Sequence, residues 1–287
     1  MAPSLDPPQT YDHLMRLGRR VLAEAAIPAP GREASLLLGH VLGLGEAQVR
    51  ARGDRPAAPE EASRFLRLLE RRADHEPAAY LFGRWEFWGR DFRVDRRVLV
   101  PRPETEHLVE AALALPLPTG ARIVDVGTGS GCIAVTLACE RPTCRVLATD
   151  LDVGALEVTR GNARDHGVAG RIDLLRADLT SAVEPGSVDL LVSNPPYVAR
   201  DDPQVDAGVR RFEPHLALFA DGDGRSLLSR LLTAVAAMRG GALGIFEIGW
   251  DQGDWIRTEV ARREGLELLD LVHDYSGHPR TAVIRRC

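Results

Sequence analysis

The sequence predicts a two-domain α/β protein in which a small helical bundle precedes a doubly wound, mostly parallel sheet. Three observations carry this. Residues 10–75 keep apolar spacing of helical period. Residues 77–100 then turn aromatic and glycine-punctuated, the composition of a β-hairpin. From Arg122 onward, seven short apolar runs alternate with helical stretches, a pattern that calls for parallel strands joined by crossover helices. The expected boundaries are 1–75 for the helical domain, 76–105 for the linker and 106–287 for the sheet domain.

Taken in order, Leu14, Leu17, Val21, Leu22 and Ala25 line one helical face, and Pro28 and Pro30 end that helix. A second helix covers Arg32 to Leu42 and stops at Gly43 and Gly45. A third opens after Pro59, with Glu60 and Glu61 in its first turn and Arg71-Arg72 at its end, the order the helix dipole favours. In the linker, Tyr80, Phe82, Trp85, Phe87, Trp88 and Phe92 read mostly as packing groups. Phe92-x-Val94 and Val98-Leu99-Val100 read as the strands of the hairpin. Two prolines stiffen Pro101-Arg102-Pro103-Glu104-Thr105-Glu106, where Arg102 is either a surface spacer or an aimed ligand group. Thr105 is the expected cap of a helix over His107–Leu115. The strands that follow are Ile123–Val126, Val146–Ala148, Ile172–Leu175, Val188–Val192, Ala242–Ile248, Leu266–His273 and Thr281–Arg286. Helices are expected over Gly131–Cys139, Ala155–Arg164, Leu227–Met238 and Trp255–Arg263. The last two strands are joined through Tyr275–Pro279, a connection short enough to favour an antiparallel pair.

Composition narrows the function. The chain has 287 residues, 45% apolar and 27% charged, with a net charge of −5. Residues 1–100 hold 16 arginines against 14 acids, and the remainder holds 20 against 27, so the sheet domain is acidic. A general nucleic-acid binder is expected to be basic, so no direct nucleic-acid partner is expected. There is no lysine, which excludes a lysine nucleophile or Schiff base. Cys132, Cys139, Cys144 and Cys287 form no Cys-x-x-Cys pair and have no histidine at metal-ligand spacing, so neither metal nor disulfide is expected. No apolar run approaches the length of a membrane span, and the N-terminus lacks a basic-then-apolar signal. The expectation is a reduced, cytoplasmic protein, away from membranes and acting as a monomer.

Three strand ends carry chemistry-bearing residues. Asp125-x-Gly127-Thr128-Gly129-Ser130-Gly131 follows the first strand and opens a helix. Its glycines permit a tight turn and close approach of backbone to a ligand. The third glycine comes one place early for a dinucleotide fingerprint. The acid two residues before Gly127 better suits an S-adenosylmethionine site. Asp150 ends the second strand, where its carboxylate can accept from two ribose hydroxyls or cap the next helix. Asp178-Leu179 follows the third strand, in position to border an adenine. Asn194-Pro195-Pro196-Tyr197 ends the fourth. The prolines fix a stiff, extended turn and leave carbonyls free to accept. Asn194 can then grip one N–H of a planar NH2 group, a proline carbonyl the other, and Tyr197 can stack on the plane. If the first and fourth strands are neighbours across the switch point of the sheet, cofactor loop and gripping turn face each other.

With these residues assembled, the chain resembles the PrmC/HemK family of bacterial release factor glutamine methyltransferases. Glu76-Pro77-x-x-Tyr80-x-x-Gly83, Glu86-Phe87 and Pro101 to Glu106 resemble its linker blocks. Phe212-Glu213-Pro214, Glu247-x-Gly249-x-x-Gln252 and Asp274-x-x-Gly277-x-x-Arg280 also fit. Leu179 departs from the tryptophan often found there. The resemblance implies a five-helix N-terminal domain and a Rossmann-like class I S-adenosylmethionine-dependent methyltransferase domain. It further implies a substrate, the glutamine of the Gly-Gly-Gln loop in class I peptide release factors, contacted by Asn194, Pro195, Pro196, Tyr197, Arg102 and Glu213. An amino methyltransferase acting on adenine or guanine of nucleic acid is the alternative on the same fold, and a non-catalytic cofactor-binding adaptor is a third.

Overall fold

In the computed structural model, which describes residues 10–200, 202–203, 205–220 and 224–287, the first helix begins where the Thr10 hydroxyl accepts from the His13 N–H (3.3 Å). This helix, α1 (Tyr11–Glu24), is followed by α2 (Pro30–Leu42), α3 (Glu46–Ala51), α4 (Pro59–Ala73) and α5 (Ala78–Phe82). Leu14, Leu22, Leu37, Leu38 and Phe65 are buried in one apolar cluster among these helices. Helix α3 was not foreseen: at six residues it is too short to show a period, and the Gln48 side chain supports its start by accepting from the Gly45 N–H. Contacts within the chain divide it into two units, one of residues 1–83 with 205–212, the other of 84–204 with 213–287.

The second unit opens with a hairpin, β1 (Arg84–Phe87) and β2 (Arg90–Arg93), earlier than the sequence suggested. Trp88 (φ 55°) and Gly89 (φ 66°) both take left-handed backbone at its tip, the turn geometry that matches strand twist. Val94, Val98 and Val100 are buried but lie outside any strand. Burial drew them inward without a pairing partner, and an apolar spacing cannot distinguish the two.

The rest of the unit runs α6 (Thr105–Ala114), β3 (Arg122–Val126), α7 (Cys132–Glu140), β4 (Arg145–Asp150), α8 (Val153–Asp165), β5 (Ile172–Arg176), β6 (Leu190–Ser193) and β7 (Val198–Ala199). After α9 (Ala207–Phe212), which belongs to the first unit, come α10 (His215–Leu218), β8 (Phe219–Ala220), α11 (Arg225–Ala236), β9 (Leu243–Glu247), α12 (Gly253–Ala261), β10 (Leu266–His273) and β11 (Pro279–Arg286). Seven of these strands form one sheet in the order β10-β11-β9-β6-β3-β4-β5. The five central and right-hand strands are parallel, and β11 pairs antiparallel with both β9 and β10. Side chains alternate faces along each strand. Ile123, Leu190, Val192 and Ile245 pack with α6 and α7 on one side. Val124, Val126, Leu191 and Phe246 pack with α11 and α12 on the other. Among the described residues, no helix is long and apolar enough to cross a membrane.

The chain leaves β3 toward β4 and β5 on one side, then returns to lay β6 on the other side of β3. The β3–β6 boundary is therefore the switch point, and the carboxyl ends of those two strands diverge into a crevice. Val126 is paired with Ser193, and the Ser193 hydroxyl donates to the Val126 carbonyl (2.8 Å), tying the two ends together one residue before each loop.

Candidate active site

The crevice is a cavity of about 390 Å³ at these strand ends. Gly127, Thr128, Gly129 and Ser130 line it from the β3 end, Asp150, Leu151 and Asp152 from the β4 end, and Asp178 and Leu179 from the β5 end. Asn194 and Pro196 line it from the β6 end, and Arg102 and Thr105 from the linker. Residues 214, 216, 217, 219 and 220 close it with Pro214, Leu216, Ala217, Phe219 and Ala220.

The loop after β3 is held by backbone and buried acids. The Gly127 and Thr128 N–H groups donate to the Thr149 carbonyl (2.9 and 3.0 Å). Gly127 has φ 69°, and a side chain there would project into open space, so the glycine leaves the cavity free for a ligand. Asp125 does not line the cavity; it is fully buried behind the loop. Its Oδ2 accepts from the Thr128 hydroxyl (2.7 Å) and the Ala134 N–H (3.2 Å), while Oδ1 has no partner. Burial pushes this carboxyl up to about 7 against those two hydrogen bonds. It organises the loop and the start of α7 from within, off the cavity wall. Gly131 is also turned inward: with φ 79°, a Cβ there would lie 2.7 Å from Thr159 Cγ2, so this glycine permits α7 to approach α8.

Asp150 lines the cavity from the end of β4. Its Oδ2 accepts from the Gly129 N–H (3.0 Å) and its Oδ1 from the Asp152 N–H (2.9 Å). Capping of α8 is performed by Asp152, which accepts from the Gly154 N–H (2.7 Å). The Asp150 carboxylate thus binds the β3 loop and retains lone pairs toward the cavity. Burial raises its pKa, and its backbone hydrogen bonds oppose that. Asp178 is ion-paired with Arg230 (2.7 Å) at the surface edge of the cavity. Leu179 sits at φ 51°, and its carbonyl accepts from the Thr149 hydroxyl (3.2 Å). Cys132 also lines the cavity, and burial pushes its thiol up to about 12, which favours the neutral thiol over the nucleophilic thiolate.

The turn after β6 is held differently. Pro195 is buried and Tyr197 is half-buried, and neither is part of the cavity wall. Asn194 Nδ2 donates to the Thr105 hydroxyl (3.0 Å), which in turn donates to Glu247 Oε2 (2.7 Å). The Tyr197 hydroxyl donates to Glu247 Oε1 (3.1 Å). Thr105 therefore does not cap α6, as its sequence position suggested. It occupies the first helical position, and its hydroxyl is engaged by a carboxylate 142 residues away. Asn194 Oδ1 has no protein partner among the described residues. Burial, then the neighbouring Glu247, raise the Tyr197 pKa, so the phenol stays protonated.

Arg102 and Glu213 are one unit. Arg102 Nη2 donates to Glu213 Oε1 (2.7 Å), and Glu213 Oε2 accepts from the Val100 N–H (3.2 Å). Glu213 is nearly fully buried and off the cavity wall, so it aims Arg102 at the cavity instead of meeting a ligand itself. Glu247 is the buried acid at this turn to which sequence reasoning assigned no role. A buried acid closing the apolar strand Leu243–Phe246, at the same sheet end as Asn194, was the available signal. The cavity-lining residues Leu216, Ala217, Phe219 and Ala220 gave no signal, because they reach the site through the two-residue pairing of β7 with β8.

Comparisons with known proteins identify the family and the fold of the chain. The family described as PrmC N-terminal domain matches residues 13–83, and the methyltransferase small domain family matches residues 105–222. The chain is 42% identical to a release factor glutamine methyltransferase of Cereibacter sphaeroides over 92% of its own length and 94% of the relative's. It is 40% identical to that of Salmonella typhimurium, covering 88% and 91%, and 38% identical to that of Nitratidesulfovibrio vulgaris, covering 100% and 98%. Among solved structures, a methyltransferase from Pyrococcus furiosus aligns with a TM-score of 0.51 at 18% identity, covering 69% of this chain and 89% of its own. The hMettl16 catalytic domain aligns with a TM-score of 0.52 at 17% identity, covering 79% and 81%; these two likenesses concern the fold. The fold is thus a Rossmann-like methyltransferase sheet with an added helical N-terminal unit, and by its similarity to those relatives along nearly its whole length the chain belongs to the family of release factor glutamine methyltransferases.

Proposed function

We propose that this protein transfers a methyl group from S-adenosylmethionine to the side-chain amide nitrogen of the glutamine in the Gly-Gly-Gln loop of class I peptide release factors. The observation that carries the reading is the orientation of Asn194. Its NH2 is held by Thr105, so Oδ1 remains to accept an N–H at the cavity, beside the β3 loop. When bound, the donor supplies a methyl activated by its sulfonium. The backbone of Gly127 to Ser130 is open to the donor's amino-acid part, Asp150 to its ribose hydroxyls, and Asp178 and Leu179 to its adenine edge. An amide nitrogen is a poor nucleophile because its lone pair is delocalised. Asn194 Oδ1 accepts one N–H of the substrate amide and a carbonyl of the Pro195-Pro196 pair accepts the other, which aims the nitrogen and holds it close. Arg102, steadied by Glu213, contacts the substrate loop. Transfer would form the N–CH3 bond as the S–CH3 bond breaks, leaving S-adenosylhomocysteine and releasing one amide proton to solvent; the methylated amide keeps a single N–H, so the same grip disfavours a second transfer.

The N-terminal helical domain, residues 1–75, has no chemical constellation and is assigned to docking of the protein substrate. The protein is taken to act as a cytoplasmic monomer, without direct contact to nucleic acid. A radiolabelled methyl-transfer assay tests this reading with an intact release factor, its loop glutamine-to-alanine variant, the isolated loop peptide, and bulk RNA and DNA. Label is expected only in the intact factor and, far more slowly, in the peptide. Label in RNA or DNA and none in the factor transfers the assignment to a nucleic-acid amino methyltransferase.

A further inference from the structure

We propose that Thr105 and Glu247 are positioning residues that decide which end of the Asn194 amide faces the methyl acceptor. This rests on the role assigned to Asn194 above and adds how that role is fixed. The argument is one of hydrogen-bond direction. An ionised carboxylate only accepts, and a threonine hydroxyl has one proton to give. With Glu247 Oε2 at 2.7 Å, the Thr105 proton is committed to Glu247, so only a lone pair of Thr105 is left for Asn194. Asn194 must then offer its NH2, as the 3.0 Å contact from Nδ2 records, and its acceptor oxygen turns to the other side. The second Glu247 oxygen takes the Tyr197 hydroxyl (3.1 Å), so one buried carboxylate orders both polar side chains of the turn. The prolines set the backbone of the turn but have no hold on the Asn194 amide about its last torsion, where the two ends have nearly the same shape.

The sheet places this carboxylate for the purpose. Glu247 is the last residue of β9, which pairs with β6, and it is fully buried. A buried charge is costly unless its lone pairs are met, and here two hydroxyl donors meet them. Arg280 and Glu104 also face it, with opposite effects on its charge, and Asp274 holds Arg280 through a 2.9 Å contact. Burial pushes Glu247 up to about 7 against the two hydroxyl donors. Protonated Glu247 has a proton to give, and the direction of the chain through Thr105 is no longer enforced.

The experiment compares T105V, T105S, E247Q and N194A with the wild-type full chain, using a purified release factor and S-adenosylmethionine across pH 5.5–8.5. Affinity for S-adenosylhomocysteine and the melting curve are measured beside turnover. T105V removes the hydroxyl at nearly constant shape and is expected to lower kcat roughly tenfold or more, with cofactor affinity within about twofold. T105S keeps the hydroxyl and is expected to recover most of the rate. E247Q introduces an NH2 that can donate to Thr105 and reverse the chain. It is expected to be slow and to lack the wild-type loss of kcat below about pH 7. If T105V turns over within about twofold of wild type while N194A is inactive, the relay is idle and this inference is overturned, with the proposed function intact. An acid limb that persists in E247Q also overturns it, because another group, Asp125 foremost, then titrates. If N194A itself is active, the reading of the turn fails as a whole. Should E247Q not melt cooperatively, the T105V and T105S pair decides alone.

Discussion

The two loops that meet at the switch point are rigid for opposite reasons. The loop after β3 is fixed by its own neighbourhood: left-handed glycines, backbone N–H groups on Thr149, and the carboxylates of Asp125 and Asp150, all within 25 residues of one another. The turn after β6 has a backbone fixed by two prolines, but its side chains are fixed by Thr105 and Glu247, drawn from an earlier helix and a later strand. The first arrangement suits a ligand gripped mainly through backbone, the second a single amide oxygen whose direction must be set. Substitutions in the β3 loop should therefore act on stability and cofactor affinity, and those in the β6 turn on turnover.

The largest expected effect tests the second half of that contrast. N194A removes the acceptor while leaving the prolines, so turnover on a release factor should fall roughly a hundredfold. The melting temperature and cofactor affinity should stay near wild type. A comparable loss of cofactor affinity, read by calorimetry, would merge the two loops into one functional unit.

D150A tests the other half. Losing a hydrogen bond to a charged acceptor costs about 1.5–3 kcal/mol, so the loss of even one of the two ribose contacts weakens cofactor binding by at least about tenfold. Turnover at saturating cofactor should change much less. Unchanged cofactor affinity in a titration calorimeter removes Asp150 from the site and leaves it its contacts with Gly129 and Asp152.

G131A sharpens the comparison within the β3 loop by separating inward from outward glycines. It places a Cβ 2.7 Å from Thr159 Cγ2 in left-handed backbone, and should lower stability by about 2 kcal/mol, measured by urea denaturation. At Gly127, which has the same backbone sign but open space around it, alanine should cost stability less and cofactor affinity more.

A further test lies in the pH dependence of stability. The folded-state carboxyl of Asp125 is raised from the usual 3.8 to about 7, so protons bind the folded chain more tightly than the unfolded one. Its contribution to stability is fully present below about pH 4 and is lost as pH rises through about 7. D125N lacks this titration. The melting temperature of the wild type relative to D125N should fall between pH 5 and pH 8, and a difference that is flat with pH contradicts the raised value.

Much of the fold was legible because it is local. The strand Leu266–His273 coincides with its apolar run, and alternation from Arg122 onward was enough to give a doubly wound sheet. Where the sequence misled, the same local patterns had two physical explanations. Val98 and Val100 are apolar because they are buried, and neither belongs to a strand. Asp125 heads a glycine-rich loop because it ties that loop to α7, and its carboxylate is closed off from the cavity.

By itself the sequence determined the order of elements, the glycine and proline geometry of the two loops and, through its motifs, the family. These follow from backbone torsions and periodic burial, which adjacent residues control. Tertiary structure alone decided which polar atoms meet. Residues 105, 194, 197 and 247 are scattered along the chain, and each has a bland local explanation as a cap, a turn, an aromatic or a strand end. They become one hydrogen-bonded chain because β9 lies beside β6 and α6 begins over both strand ends. The direction of those bonds depends on a buried carboxylate that can only accept while ionised, and burial is a property of the folded chain.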